Sequence, residues 1–120
     1  MKKALCAFFC LALASPIAAA QDIHSANYLL EGCRIVASGA TPPDGQMFRA
    51  TMCMGKLEAV VFFASSIDTP NRSCPPRGVP DSQVAKVVVA YLDQNPARLH
   101  QVFLGLAYEA VAKAWPCPAQ

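Results

Sequence analysis

Residues 80–117 read PDSQVAKVVVAYLDQNPARLHQVFLGLAYEAVAKAWPC, and this stretch decides the fold class. Val84, Val87, Val88, Tyr91 and Leu92 recur at spacings of three and four, the period of an amphipathic helix. Pro80 and Asp81 suit the first turn of that helix. Proline brings a helical φ, and the carboxylate lies at the positive end of the dipole. Asn95-Pro96 stops the helix and opens another, with Asn95 as cap and Pro96 at the first position. Leu99, Val102, Phe103, Leu106, Ala110, Val111 and Ala114 then keep helical spacing until Pro116 ends it. The stretch therefore predicts a helical hairpin, with one cysteine before it (Cys74) and one after it (Cys117).

Working upstream, Ser25 is a helix cap, followed by Ala26, Leu29, Leu30, Cys33 and Ala37 on one face. Gly39 to Gly45, Gly-Ala-Thr-Pro-Pro-Asp-Gly, cannot continue a helix. A second helix is expected from Gln46 to about Ala64, with Ala50, Cys53, Leu57, Val60, Val61 and Ala64 inward. The β-branched and aromatic run Val60-Val61-Phe62-Phe63 also suits a short strand. The helical spacing from Ala50 onward, with no partner strand evident, decides for helix. One of Phe62 and Phe63 is expected to face the core. The sequence thus predicts an all-α, four-helix domain built from two antiparallel hairpins.

The N-terminus reads as an export signal. Lys2 and Lys3 precede an uncharged run from Ala4 to Ala14, and Ala18-Ala19-Ala20 supplies the small residues for cleavage after Ala20. The run is shorter than the roughly 20 residues a membrane span needs. The expected division is a signal peptide at 1–20 and one domain at 21–120, exported to the periplasm, with no membrane association after cleavage. Lys2 and Lys3 account for the whole formal charge of +2, which leaves residues 21–120 balanced. A neutral domain lacks the basic footprint of a nucleic-acid binder.

Beyond the signal, four cysteines remain: Cys33, Cys53, Cys74 and Cys117. A small domain in an oxidising compartment uses such residues as staples. Four cysteines allow three pairings. Antiparallel neighbours bring residues equidistant from a turn side by side, which favours Cys33–Cys53 across the first hairpin and Cys74–Cys117 across the second. None of the spacings is that of a structural zinc site, and there is no CxxC redox motif. No metal or other cofactor is expected.

Catalytic constellations are missing from the sequence. His24 falls in the N-terminal approach and His100 on a polar flank of the last helix. There is no Gly-x-Ser-x-Gly or His-Glu-x-x-His, and the acidic residues stand singly. The expectation is a binding protein without catalytic residues. The Ser65–Pro80 connection, stiffened by prolines and tied at Cys74, is either a spacer or a preorganised binding element. Its candidate contacts are Asp68, Asn71, Arg72 and Arg77.

The string Cys74-Pro75-Pro76-Arg77-Gly78-Val79, Gln83, Val87-Val88-Val89-Ala90-Tyr91-Leu92, Asn95-Pro96-Ala97-Arg98-Leu99-His100 and Ala110-Val111-Ala112-Lys113-Ala114-Trp115-Pro116-Cys117 resembles the type VI amidase immunity (Tai-type) family. Leu29, Leu30, Cys33 and Cys53-Met54-Gly55 extend the resemblance into the first half. Lys56 and Ala59 depart from it, standing where the family has tyrosine and glycine. The resemblance implies a small exported helical protein, often dimeric, that binds and neutralises a cell-wall (peptidoglycan) amidase toxin delivered by type VI secretion. The alternative from composition and export alone is a small periplasmic helical chaperone or stress protein. The 15% of charged residues is low for an acid-stress chaperone.

Overall fold

The structure, a computed structural model, describes residues 22–118. The expected signal peptide at 1–20 lies outside the described residues. These contain α1 (Ala26–Ser38), α2 (Met47–Phe63), α3 (Asp81–Gln94), one 3₁₀ turn (Pro96–Arg98) and α4 (Phe103–Ala114). No strand forms among them. The two isolated bridges pair Ser25 with Val102 and Ser73 with Pro116.

Local chemistry fixes the ends of the first helix. The Ser25 hydroxyl accepts from the Tyr28 amide at 3.3 Å and donates to the Asp22 carbonyl at 2.7 Å. That satisfies one of the four free amides every helix start presents. Gly39 ends the helix in the left-handed region, φ 69°, and its amide returns to the Val36 carbonyl. Asp81 occupies the first turn of α3, as the sequence predicts, whereas Pro80 stands just before the helix as its N-cap, in an extended conformation, rather than within the first turn.

The helix α1 packs along both α2 and α3, and α3 carries α4. Leu29, Leu30 and Cys33 meet Cys53, Leu57 and Val60 on one side and Val84, Val88, Tyr91 and Leu92 on the other. Phe103, Leu106, Ala107, Ala110 and Val111 close the core from α4. Gly32 lets the first two helices touch. A Cβ there would overlap the Arg49 carbonyl and lie 2.8 Å from the Ala50 nitrogen. Both expected disulfides are present: Cys33–Cys53 with Cα atoms 5.3 Å apart, and Cys74–Cys117 with Cα atoms 4.8 Å apart.

Two expectations are corrected. The last helix does not begin at Pro96; it begins at Phe103. Residues 99–102 are diverted to the start of α1. The Leu99 and Gln101 carbonyls accept from the Asn27 and Ala26 amides at 2.8 and 3.0 Å, and the Phe103 amide donates to His24. These long-range bonds satisfy free amides at one helix start by interrupting another helix, an exchange that local periodicity cannot register. Asn95 accordingly does not cap α4; its side-chain amide donates to the Tyr91 carbonyl at 2.7 Å and closes α3. His100 lies in the turn rather than in the helix, and Val102 is exposed.

The second correction concerns Phe62 and Phe63. Neither enters the core. They are 75% and 50% exposed and stack edge to face with centroids 4.9 Å apart. Val60 and Ala64, one helical turn apart, take the inward direction instead and are fully buried.

Candidate partner-binding surface

Three surface features stand out once the core is assigned. The first is the connection between α2 and α3. Its middle is fixed: the Ser73 amide donates to the Ala64 carbonyl at 2.9 Å, and the Cys74 amide to the Trp115 carbonyl at 2.8 Å. Ser73 is fully buried, although its hydroxyl has no partner among the described residues. Between Ala64 and Ser73 the chain forms a compact excursion. The Arg72 amide bonds the Thr69 carbonyl, the Arg72 Nε bonds the Ser65 carbonyl at 3.1 Å, and the Asn71 amide bonds the Thr69 hydroxyl.

The four candidate contacts therefore divide. Arg72 holds its own loop together while remaining exposed, and Asn71 is half-buried. Asp68 and Arg77 are exposed, with no side-chain hydrogen bond among the described residues. Asp68, Asn71 and Arg72 share the excursion. Arg77 lies beyond the Cys74 tether, on the separate Pro75–Pro80 approach to α3.

The second feature is the outward side of α2. Met47 and Phe48 are 56% and 59% exposed, and Met54, Phe62 and Phe63 join them. Glu58 is the one exposed charged residue on this helix, while Arg49 is drawn aside, its guanidinium 4.6 Å over the Tyr28 ring. At the N-terminal end of α2 an apolar cleft of about 370 Å³ opens between Ile35, Val36, Pro42, Met47 and Met54, with Asp81 and Ser82 at its edge. The sequence signal for this face was present: Met47, Phe48 and Met54 are apolar helical residues left over once the inward stripe is drawn.

The third feature is polar and couples α3, the 3₁₀ turn and α4. Arg98 grips the Glu109 carboxylate with both terminal nitrogens, at 2.6 and 2.8 Å. The Tyr91 hydroxyl donates to the same carboxylate at 2.5 Å and accepts from Arg98 at 2.9 Å. Lys113 stands 5.1 Å over the Tyr91 ring. The Arg98 hydrogen bonds first, and the Tyr91 bond second, hold the Glu109 carboxyl down at about 2. The same carboxylate raises both the Tyr91 hydroxyl and the Arg98 guanidinium. A carboxylate saturated by donors is a poor proton acceptor, so this cluster is a structural clasp rather than an acid–base pair. The cluster was not legible in the chain, because Tyr91, Arg98 and Glu109 stand on three separate elements that only packing brings together.

No group of three or more His, Cys, Asp or Glu side chains that could hold a metal occurs among the described residues. His24 and His100 are both exposed. No helix among the described residues is long and apolar enough to cross a membrane.

The geometry is thus that of a rigid stapled scaffold with a tethered loop and an apolar helix face. Comparisons with curated proteins and with solved structures gave no match. The family model of the Rap1a immunity proteins matches residues 25–117, from the cap of α1 to the last cysteine of the second staple. The chain belongs to the Rap1a immunity proteins, a type VI secretion immunity family.

Proposed function

We propose that this protein is a periplasmic immunity protein that binds and inhibits a peptidoglycan amidase effector of type VI secretion, and that it acts by occlusion rather than catalysis. Export by the 1–20 segment brings it to the cell wall, where such a toxin acts. The observation that carries the reading is the family match across residues 25–117. The motif string from Cys74 to Cys117 directs it to the amidase subtype. Both staples support occlusion, because a plug that is ordered before binding loses less conformational entropy on docking.

In this reading the excursion bearing Asp68, Asn71 and Arg72 presents the contacts, and Arg77 adds a second point beyond the tether. Arg72 acts partly by holding the loop shape. The test is isothermal titration of the purified protein with the amidase encoded beside its gene. A one-to-one complex that abolishes peptidoglycan cleavage is the expected result. Absence of a complex, with both proteins folded, removes the reading. Asp68→Ala and Arg77→Ala are expected to weaken binding by about tenfold or less each, since rim contacts contribute little.

A second reading, a small helical chaperone, draws on one observation: the exposed apolar side of α2. It requires dye-accessible apolar surface to grow as pH falls and aggregation of client proteins to be suppressed. The immunity reading expects neither near pH 5.

A further inference from the structure

We propose that the Cys74–Cys117 bridge is a thiol–disulfide exchange site for a protein dithiol, opened by attack on Cys74 while Cys33–Cys53 stays closed. Its opening releases the Ser65–Pro80 connection without unfolding the helices.

The two bridges differ in what surrounds them. Cys33 and Cys53 have no exposed surface and lie within the apolar cluster shared by all four helices. Cys74 is exposed, Cys117 is half-buried, and neither belongs to that cluster. Exchange requires a thiolate to reach a disulfide sulfur, so access decides which bridge reacts. At the outer bridge it also decides which sulfur is struck. The incoming thiolate bonds to Cys74 Sγ, the bond to Cys117 breaks, and Cys117 leaves as a thiolate that takes up a proton. The second thiol of the dithiol then attacks its own partner sulfur in the mixed disulfide and releases Cys74, which is protonated in turn. Two electrons pass to the bridge, the reductant ends as a disulfide, and its two protons return to the two cysteines.

The segments joined by this sulfur have few backbone bonds of their own. Pro75, Pro76 and Pro80 carry no amide hydrogen, and neither do Pro116 and Pro118 on either side of Cys117. The Val79 amide reaches back only to the Pro76 carbonyl, at 3.3 Å. Across the bridge itself, the Cys74 amide bonds the Trp115 carbonyl. The covalent link is therefore the main tether of the connection, whereas the helices keep their common core without it. Asp68, Asn71 and Arg72 lie before that tether and Arg77 after it, so opening frees the two groups from one another. That the freed side chains are contacts rests on the reading above; the exchange does not.

The test uses the oxidised protein and no toxin. The probe is a thioredoxin-type dithiol protein, first without its resolving cysteine. It should be captured as a mixed disulfide, with mass mapping placing the link on Cys74. The intact probe should reduce Cys74–Cys117 at least about tenfold faster than Cys33–Cys53. With only the outer bridge open, circular dichroism should retain the helix content. Amide exchange at Ser73, Cys74 and Val79 should then rise by about tenfold or more. The emission of Trp115, the single tryptophan of the chain, should change in step with alkylation of Cys74.

Capture on Cys117, reduction of both bridges at like rates, or no reduction overturns the proposal. So does an open outer bridge that leaves amide exchange in the connection unchanged, or one that unfolds the helices.

Discussion

In the first hairpin the sulfur bridge lies inside the core, with Cys33 and Cys53 fully buried, whereas in the second Cys74 is exposed and Cys117 half-buried at the rim. The α1–α2 pair is held by apolar contact, a buried disulfide and the close approach at Gly32, and it shows an apolar back to solvent. The α3–α4 pair is held partly by the polar clasp of Tyr91, Arg98 and Glu109, and its bridge ties down a loop as well as a helix end. Loop closure alone ranks the bridges by sequence separation, 20 residues against 43. That gives about 3.3 and 4 kcal/mol respectively in the chain-entropy model. Burial acts in the opposite direction, because removing sulfur from a packed core also leaves a cavity. The comparison teaches that position in the core, not loop length, should decide which staple matters more to stability.

The largest effect expected follows from this. Cys33→Ala with Cys53→Ala should destabilise the domain by about 5 kcal/mol in a urea melt, loop entropy and cavity acting together. Cys74→Ala with Cys117→Ala should cost about 4 kcal/mol or less and free the Ser65–Pro80 connection, read as faster amide exchange at Ser73 and Cys74. An inverted order would break the argument from burial. Reduction sharpens the same contrast: in native buffer with dithiothreitol, alkylation and mass analysis should find Cys74 and Cys117 modified before Cys33 and Cys53, because a reductant must reach the sulfur.

Next in size, Gly32→Ala should cost about 2–3 kcal/mol, since the added carbon meets backbone of α2 and can be relieved only by separating the helices. Gly55→Ala is the matched control, expected to leave the folded monomer unharmed or slightly stabilised.

Smallest is the clasp. Glu109→Gln should lower Tm by about 5 °C, a modest effect because about a third of each charged side chain meets water. Its pH dependence has a fixed sign. The folded-state carboxyl lies at about 2 against an ordinary 4.5, so its contribution is complete above about 4.5 and drains away as pH falls towards 2. The Gln variant should lack that part of the acid loss when Tm is followed from pH 6 to pH 2.

Much of this organisation was legible in the chain. Ser25, Gly39, Pro80 and Asp81 announce helix ends by their own chemistry, and the inward stripes of α1, α2 and α3 follow from spacing. Equidistance from a turn was enough to pair the cysteines. The candidate surface was only half legible. Asp68, Asn71, Arg72 and Arg77 were placed on one loop, but the tether at Ser73 and Cys74 divides them between two segments. The apolar back of α2 hid inside a helix whose inner stripe already satisfied the expected pattern, so the expectation that one of Phe62 and Phe63 faces the core fails for both.

What the sequence determined by itself was local: four helices, the ends of α1 and the start of α3, and two staples that antiparallel pairing favours. What the tertiary structure alone decided was where distant backbone groups find partners. The carbonyls of Leu99 and Gln101 satisfy the start of α1, and that need delays α4 to Phe103. The physical reason is one of range. Periodicity and capping act within a few residues, whereas a buried amide must be satisfied by whatever acceptor the folded chain brings to it.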